Sequence, residues 1–199
     1  MLLEARDIDR RFQVGTRKII ALERISATIK NGEFLTITGP SGSGKSTLLN
    51  ILSGLDTPSH GEVDFKGRPL STMDPQQRAH LRNESFGFIF QTPHLLFDKT
   101  VLENTLLPFS YGAHIDRNTA ESRCLELLRH VGLEHLVQRY PNTLSGGEMQ
   151  RIVFARALSR EPDVIFADEP TGNLDGENSK KLLNLLKEQS DSGRTVIMV

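Results

Sequence analysis

The chain has a single cysteine, a formal net charge of only −1, and no apolar run near the roughly 20 residues that a membrane-spanning helix needs. One thiol cannot build a disulfide framework within a chain. Cys124 falls at helical spacing with Leu128 and Val131, so it reads as a small buried hydrophobe rather than a reactive group. A charge near zero supplies no bulk positive field for nucleic acid, and the 24 Lys and Arg read as solvated surface. The six histidines (His60, His80, His94, His114, His130 and His135) lack metal-ligand spacing and read as loop or helix-surface positions. The apolar pair at the N-terminus runs at once into Glu4, Arg6 and Asp7, which suits a protein on the cytosolic side. Internal repeats, heptads and low-complexity tracts are also missing.

At 199 residues, 37% hydrophobic and 25% charged, the chain can bury one core and carry an inserted subdomain. Its organising stretch is Gly39-Pro40-Ser41-Gly42-Ser43-Gly44-Lys45-Ser46-Thr47, which fits G-x-x-x-x-G-K-[ST] between an alternating apolar run (34–38) and a helical run (48–52). Glycines let successive N–H groups point inward, and the following helix adds the positive end of its dipole, so the stretch is a cradle for a polyphosphate. Lys45 can reach β- and γ-phosphates, and Ser46 can offer its hydroxyl to Mg²⁺, a hard cation that needs few protein oxygens.

Before this loop, 2–12, 19–29 and 34–38 read as strands of an antiparallel layer, and Asn31-Gly32 between the last two is a tight-hairpin signal. After it come a short helix ending near Gly54, a turn at 56–61 and a strand at 62–65. The runs 86–90, 164–167 and 195–199 are apolar at nearly every position, as strands buried on both faces of a parallel sheet require. Between about 100 and 139 the periodicity becomes helical, with Asp116 or Asn118 as a cap, and further helices are expected at 146–158 and 177–189. The expected fold is α/β with a mainly parallel sheet, an antiparallel N-terminal layer and a helical insert. Its core covers about 1–91 and 159–199, and the helical part about 92–158.

Asp168-Glu169 follows four apolar residues and so stands at the C-terminal end of a strand, where open α/β sheets bind ligands. Asp168 is the natural Mg²⁺ partner of Ser46, and Glu169 can act as the base toward water attacking a γ-phosphate. Leu144-Ser145-Gly146-Gly147-Glu148 opens a helix with free N–H groups and a hydroxyl, suited either to an anion or to a plain helix cap.

Taken with Gln91 and Asn173-Leu174-Asp175, these motifs resemble the ATP-binding subunit of an ABC transporter over the span from Phe12 to the last residue. The wording Pro170-Thr171-Gly172-Asn173-Leu174-Asp175 is similar to the subgroup of macrolide-exporter, lipoprotein-releasing and cell-division-associated ATPases. The resemblance implies a P-loop NTPase fold, ATP and Mg²⁺ as ligands, and ATP hydrolysis coupled to transport. It gives Phe12 the task of stacking on adenine, although by sequence Phe12 could equally be a core residue of the first strand. Gln91 would touch Mg²⁺ or the attacking water. Ser145, Gly146 and Gly147 would bind the γ-phosphate held by a second subunit, with Asp175 across the same interface, in a head-to-tail dimer. Transmembrane permease subunits would be the other partners, at the cytoplasmic face of the membrane, and no nucleic acid. Members carry a histidine just after the strand matching 196–199, and this chain stops before it. The expectation is therefore a C-terminally short cassette that binds MgATP, with a hydrolysis-impaired nucleotide-binding fragment as the alternative. A DNA-repair-type ABC ATPase fits less well. Such proteins separate the two motifs by long coiled coils, whereas Lys45 and Ser145 are 100 positions apart (145 minus 45).

Overall fold

β-Branched and apolar residues dominate the first thirty positions, and they form two long strands, β1 (Leu3–Val14) and β2 (Arg17–Ile29), antiparallel around Gly15. In the computed structural model, which describes residues 1–112 and 115–199, the next strand β3 (Phe34–Thr36) does not fold back on β2. It pairs in parallel with the last strand of the chain, Phe34 opposite Val196. Asn31-Gly32 is therefore not a hairpin between the two runs it separates, and it carries the chain from one sheet to another. Gly32 N–H donates to Thr195 Oγ1 at 2.9 Å, which fixes the turn to the second sheet. Turn chemistry specifies the reversal but not which strand the chain joins afterwards.

The phosphate loop then leads into α1 (Lys45–Leu52), β4 (His60–Phe65) and the two-residue β5 (Arg68–Pro69), which complete an antiparallel sheet of order β2-β1-β4-β5. α2 (Pro75–Ser85) went unseen in the sequence because none of its residues is buried and it has no apolar stripe. Its signal was local: Asp74 and Gln77 form a capping box and Pro75 occupies the first turn.

β6 (Phe86–Phe90) follows, then α3 (Val101–Leu106), α4 (Arg117–His130), α5 (Gly146–Leu158), β7 (Val164–Asp168), α6 (Gly176–Asp191) and β8 (Thr195–Met198). Asp116 caps α4 by accepting from Asn118 N–H and Thr119 N–H, so Asn118 lies inside the helix. The second sheet is parallel in the order β3-β8-β7-β6. Val164, Phe166 and Ile197 point into one apolar cluster with α1, β1 and β4, while Ile165, Ala167 and Val196 point into another with α4, α5 and α6. Cover on both faces explains why these strands are apolar at successive positions. The fold is thus α/β, with the parallel sheet held between an antiparallel layer and a layer of helices.

Cys124 is fully buried in the helical cluster, and burial pushes its thiol up to about 12, which makes it inert. The arginines are not all solvated. Arg156 donates to the His94 and Pro93 carbonyls at 2.9 and 3.0 Å, and the Arg160 side chain, 7% exposed, pairs with Glu84 at 3.0 Å. Among the described residues no cluster of three or more metal-ligating side chains occurs, and no helix is long and apolar enough to cross a membrane. His114 lies outside the described residues.

Candidate functional site

Gly44 is the N-cap of α1 with φ 91°, a left-handed conformation that costs a glycine little. A Cβ there would overlap the Ala21 carbonyl oxygen of β2, so the loop and the antiparallel layer meet at this glycine. No side chain caps α1 and its first turn has no acid, which leaves the leading N–H groups and the helix dipole open to an anion. Lys45 Nζ donates to the Gly39 and Pro40 carbonyls at 3.1 and 3.0 Å, and so stands inside the curve of its own loop. Gly42 and Gly146 each face open space where a Cβ would be.

Ser46, in the first turn of α1, donates to Asp168 Oδ1 at 2.8 Å. The two oxygens are hard donors, and their separation is close to the edge of roughly 2.8–3.0 Å of an octahedron with bonds of about 2.0–2.1 Å, so the pair fits adjacent ligand positions of Mg²⁺.

Beyond Asp168 the chain turns sharply. Glu169 has φ 45°, a left-handed conformation that costs a non-glycine residue about 1–3 kcal/mol and is held only where its surroundings demand it. Here Glu169 N–H donates to Val199 O at 3.3 Å and Gly172 N–H to Glu169 O at 3.0 Å, leaving the side chain exposed at the strand exit. Phe90 and Asp168 are register partners, so Gln91 leaves β6 beside Glu169. The Gln91 side chain lies over Gly172, its Nε2 2.6 Å from where a Cβ would stand, and Asn173 Nδ2 donates to Gln91 O at 3.3 Å.

Phe12 is half-buried and belongs to neither apolar cluster, so it is not a core residue of β1. Its strand partner is Ile19, two residues from the Ala21 carbonyl that touches Gly44. The Arg10 guanidinium sits 4.5 Å from the Phe12 ring centroid, anchored by Asp56 at 2.9 Å.

The remaining residues form a separate group. Ser145 caps α5 in a full capping box, and its hydroxyl and N–H donate to Glu148 at 2.7 and 2.8 Å. The Ser145 N–H and then its hydroxyl hold the Glu148 carboxyl below the usual range. Asp175 caps α6 by accepting from Asn178 N–H and Nδ2, both at 2.8 Å, and the backbone N–H is the main cause of its lowered pKa. Asn178 also accepts from Arg151 of α5 at 3.0 Å and fills the space that a Cβ on Gly147 would need. Ser145, Gly146, Gly147 and Asp175 are thus assembled with one another, and among the described residues no hydrogen bond joins them to loop 39–47.

Two participants escaped the sequence. Asn178 and Gln150 are the polar links of this region, and Gln150 is 2% exposed, donating to Phe90 O at 2.8 Å and Pro170 O at 3.0 Å. Its signal was a polar residue at helical spacing with Val153 and Ala157, inside an apolar stripe.

A family model described as ABC transporter matches residues 22–172. An uncharacterized ABC transporter ATP-binding protein, MJ1508 of Methanocaldococcus jannaschii, is 46% identical over 198 residues, covering 100% of this chain and 88% of that protein. The lipoprotein-releasing system ATP-binding protein LolD of Wigglesworthia glossinidia brevipalpis is 43% identical over 199 residues, covering 100% and 86%. A dimeric, post-hydrolysis structure of the ATP-binding cassette MJ0796 bound to ADP and Pi superposes with a TM-score of 0.91 at 38% identity, covering 100% of this chain and 87% of that one.

Proposed function

The chain belongs to the ABC transporter family as an ATP-binding, ATP-hydrolysing subunit, and from that premise we propose that loop 39–47 holds the triphosphate of ATP while Asp168 and Glu169 act on it from the end of β7. The observation that carries this assignment is the 2.8 Å bond between Ser46 and Asp168, which joins the phosphate loop to the strand exit. The backbone N–H groups of Gly42, Ser43 and Gly44 and the start of α1 receive phosphate oxygens, and Lys45 turns from its loop carbonyls to the β- and γ-phosphates.

Ser46, Asp168 and Gln91 would hold Mg²⁺, which would supply charge screening of the phosphate oxygens and so a more electrophilic γ-phosphorus. Glu169, turned outward by its left-handed backbone, accepts the proton of the attacking water, and Gln91 beside it orients that water. Phe12, backed by Arg10, offers its free face to the adenine ring.

Ser145, Gly146, Gly147 and Asp175 serve the γ-phosphate bound by a second copy, because the residues are braced together yet make no bond to their own loop. Donating to that phosphate requires the Ser145 hydroxyl to leave Glu148. Residues 92–158 are the helical subdomain and 1–91 with 159–199 the core. A cleft of about 650 Å³ between α2, β6 and α5, lined by Phe86, Phe88, Phe90 and Tyr111, adjoins the strand that leads into Gln91, which supports a permease partner seated there at the cytoplasmic face of the membrane.

Phosphate release from the purified chain with MgATP tests the catalytic assignment. Glu169→Gln keeps the shape but cannot accept a proton, so turnover falls by about 10²–10⁴ while nucleotide affinity stays. Unchanged turnover in that variant would remove Glu169 from the role of base.

A further inference from the structure

Main-chain pairing between β6 and β7 ends at Phe90 and Asp168, one residue short of Gln91 and Glu169. Beyond that point two side-chain amides cross between the strand exits. Asn173 reaches Gln91 O at 3.3 Å from the exposed side. Gln150, buried on α5, makes two shorter bonds, to the carbonyl just before Gln91 and the carbonyl just after Glu169. Both acceptors are carbonyl oxygens, so the NH₂ end of the amide faces them and both of its protons are used.

We propose that Gln150 is a positioning residue for ATP hydrolysis, which sets the Gln91 and Glu169 backbones in one register by bridging Phe90 O and Pro170 O. The proposal rests on the catalytic reading of Gln91 and Glu169 above. Gln150, buried beneath the two strand exits, acts through the two loops. It also lies on the helix that Ser145 caps, five positions away, so a shift of α5 when Ser145 engages a second copy reaches both strand exits through one side chain. Leucine occupies similar volume and would fill the core as well, but it would leave the Phe90 and Pro170 carbonyls without these donors, so the amide does more than pack.

Two variants of the whole chain test this, Gln150→Leu and Gln150→Glu. Gln150→Leu removes both donors, and kcat falls by about 10²-fold with KM unchanged, as expected when reacting groups are misplaced but binding is intact. In Gln150→Glu the buried carboxylate faces two carbonyl oxygens, so its pKa rises, and its protonated form regains one donor. Turnover relative to wild type therefore recovers as the pH is lowered from about 8 to about 6. Amide hydrogen exchange gives a readout independent of turnover. In Gln150→Leu the Gly172 amide, which donates to Glu169 O, exchanges faster, while the Ile165 and Phe166 amides in β7 keep their protection. Parallel changes in kcat and KM, uniform loosening of β7, or an unaltered Gly172 amide would overturn the proposal. If the wild-type chain released no phosphate, the catalytic reading would fail, and the exchange comparison alone would decide whether Gln150 sets the two exits.

Discussion

Ser46 and Asp168, 122 positions apart, share a hydrogen bond of 2.8 Å between the hydroxyl of one and Oδ1 of the other. The contact brings a helix start and a strand end to one place, and both residues are only partly buried. Ser46→Ala, Asp168→Ala and the double variant, compared by urea unfolding, are expected to show a coupling of about 0.5–1.5 kcal/mol. Additive effects would separate the two residues.

Gly44→Ala destabilises the fold more than Gly42→Ala. Both glycines have positive φ, at 91° and 77°, but a Cβ on Gly44 overlaps the Ala21 carbonyl oxygen whereas one on Gly42 meets open space. The expected loss for Gly44→Ala is about 2 kcal/mol or more, from the backbone conformation and the displaced β2 together. Chemical denaturation of the two variants checks the order.

The cap of α6 is pH-dependent. Asp175 has a depressed carboxyl, held chiefly by the Asn178 backbone N–H, so its contribution to stability is present above its ordinary value of 3.8 and is lost as pH falls through the lower folded value. The difference in Tm between wild type and Asp175→Ala is therefore full at neutral pH and narrows below about pH 4. A constant difference down to pH 2 would mean that the charge of Asp175 plays no part in the cap.

What the sequence reveals and what it conceals follow from how far each signal reaches. The strands read at 86–90, 164–167 and 195–199 carry their signal in contiguous residues, and the fold forms them at 86–90, 164–168 and 195–198 with Asp168-Glu169 at a strand exit. Asn31-Gly32 misleads because a turn is local while strand pairing is not, and β3 finds its partner at the other end of the chain. α2 is hidden because it buries nothing, and only its capping box gives it away. Gln150 and Asn178 act by joining loops distant in sequence, so no pattern in either neighbourhood names their partners. The capping box at Ser145 was legible, but not that the hydroxyl proposed for a phosphate is committed to Glu148.

Calorimetric titration of MgATP into the wild-type chain and into Lys45→Ala tests the central claim, that loop 39–47 holds the triphosphate, most directly. Lys45 Nζ stands on its own loop carbonyls at 3.0–3.1 Å, so its removal takes a cation from the site and little from the fold. The wild type is expected to bind with a Kd between about 1 μM and 1 mM. Lys45→Ala should bind at least about tenfold more weakly at an unchanged Tm, since a hydrogen bond to a charged group contributes about 1.5–3 kcal/mol. Equal affinities for the two proteins would contradict the assignment of the phosphate site.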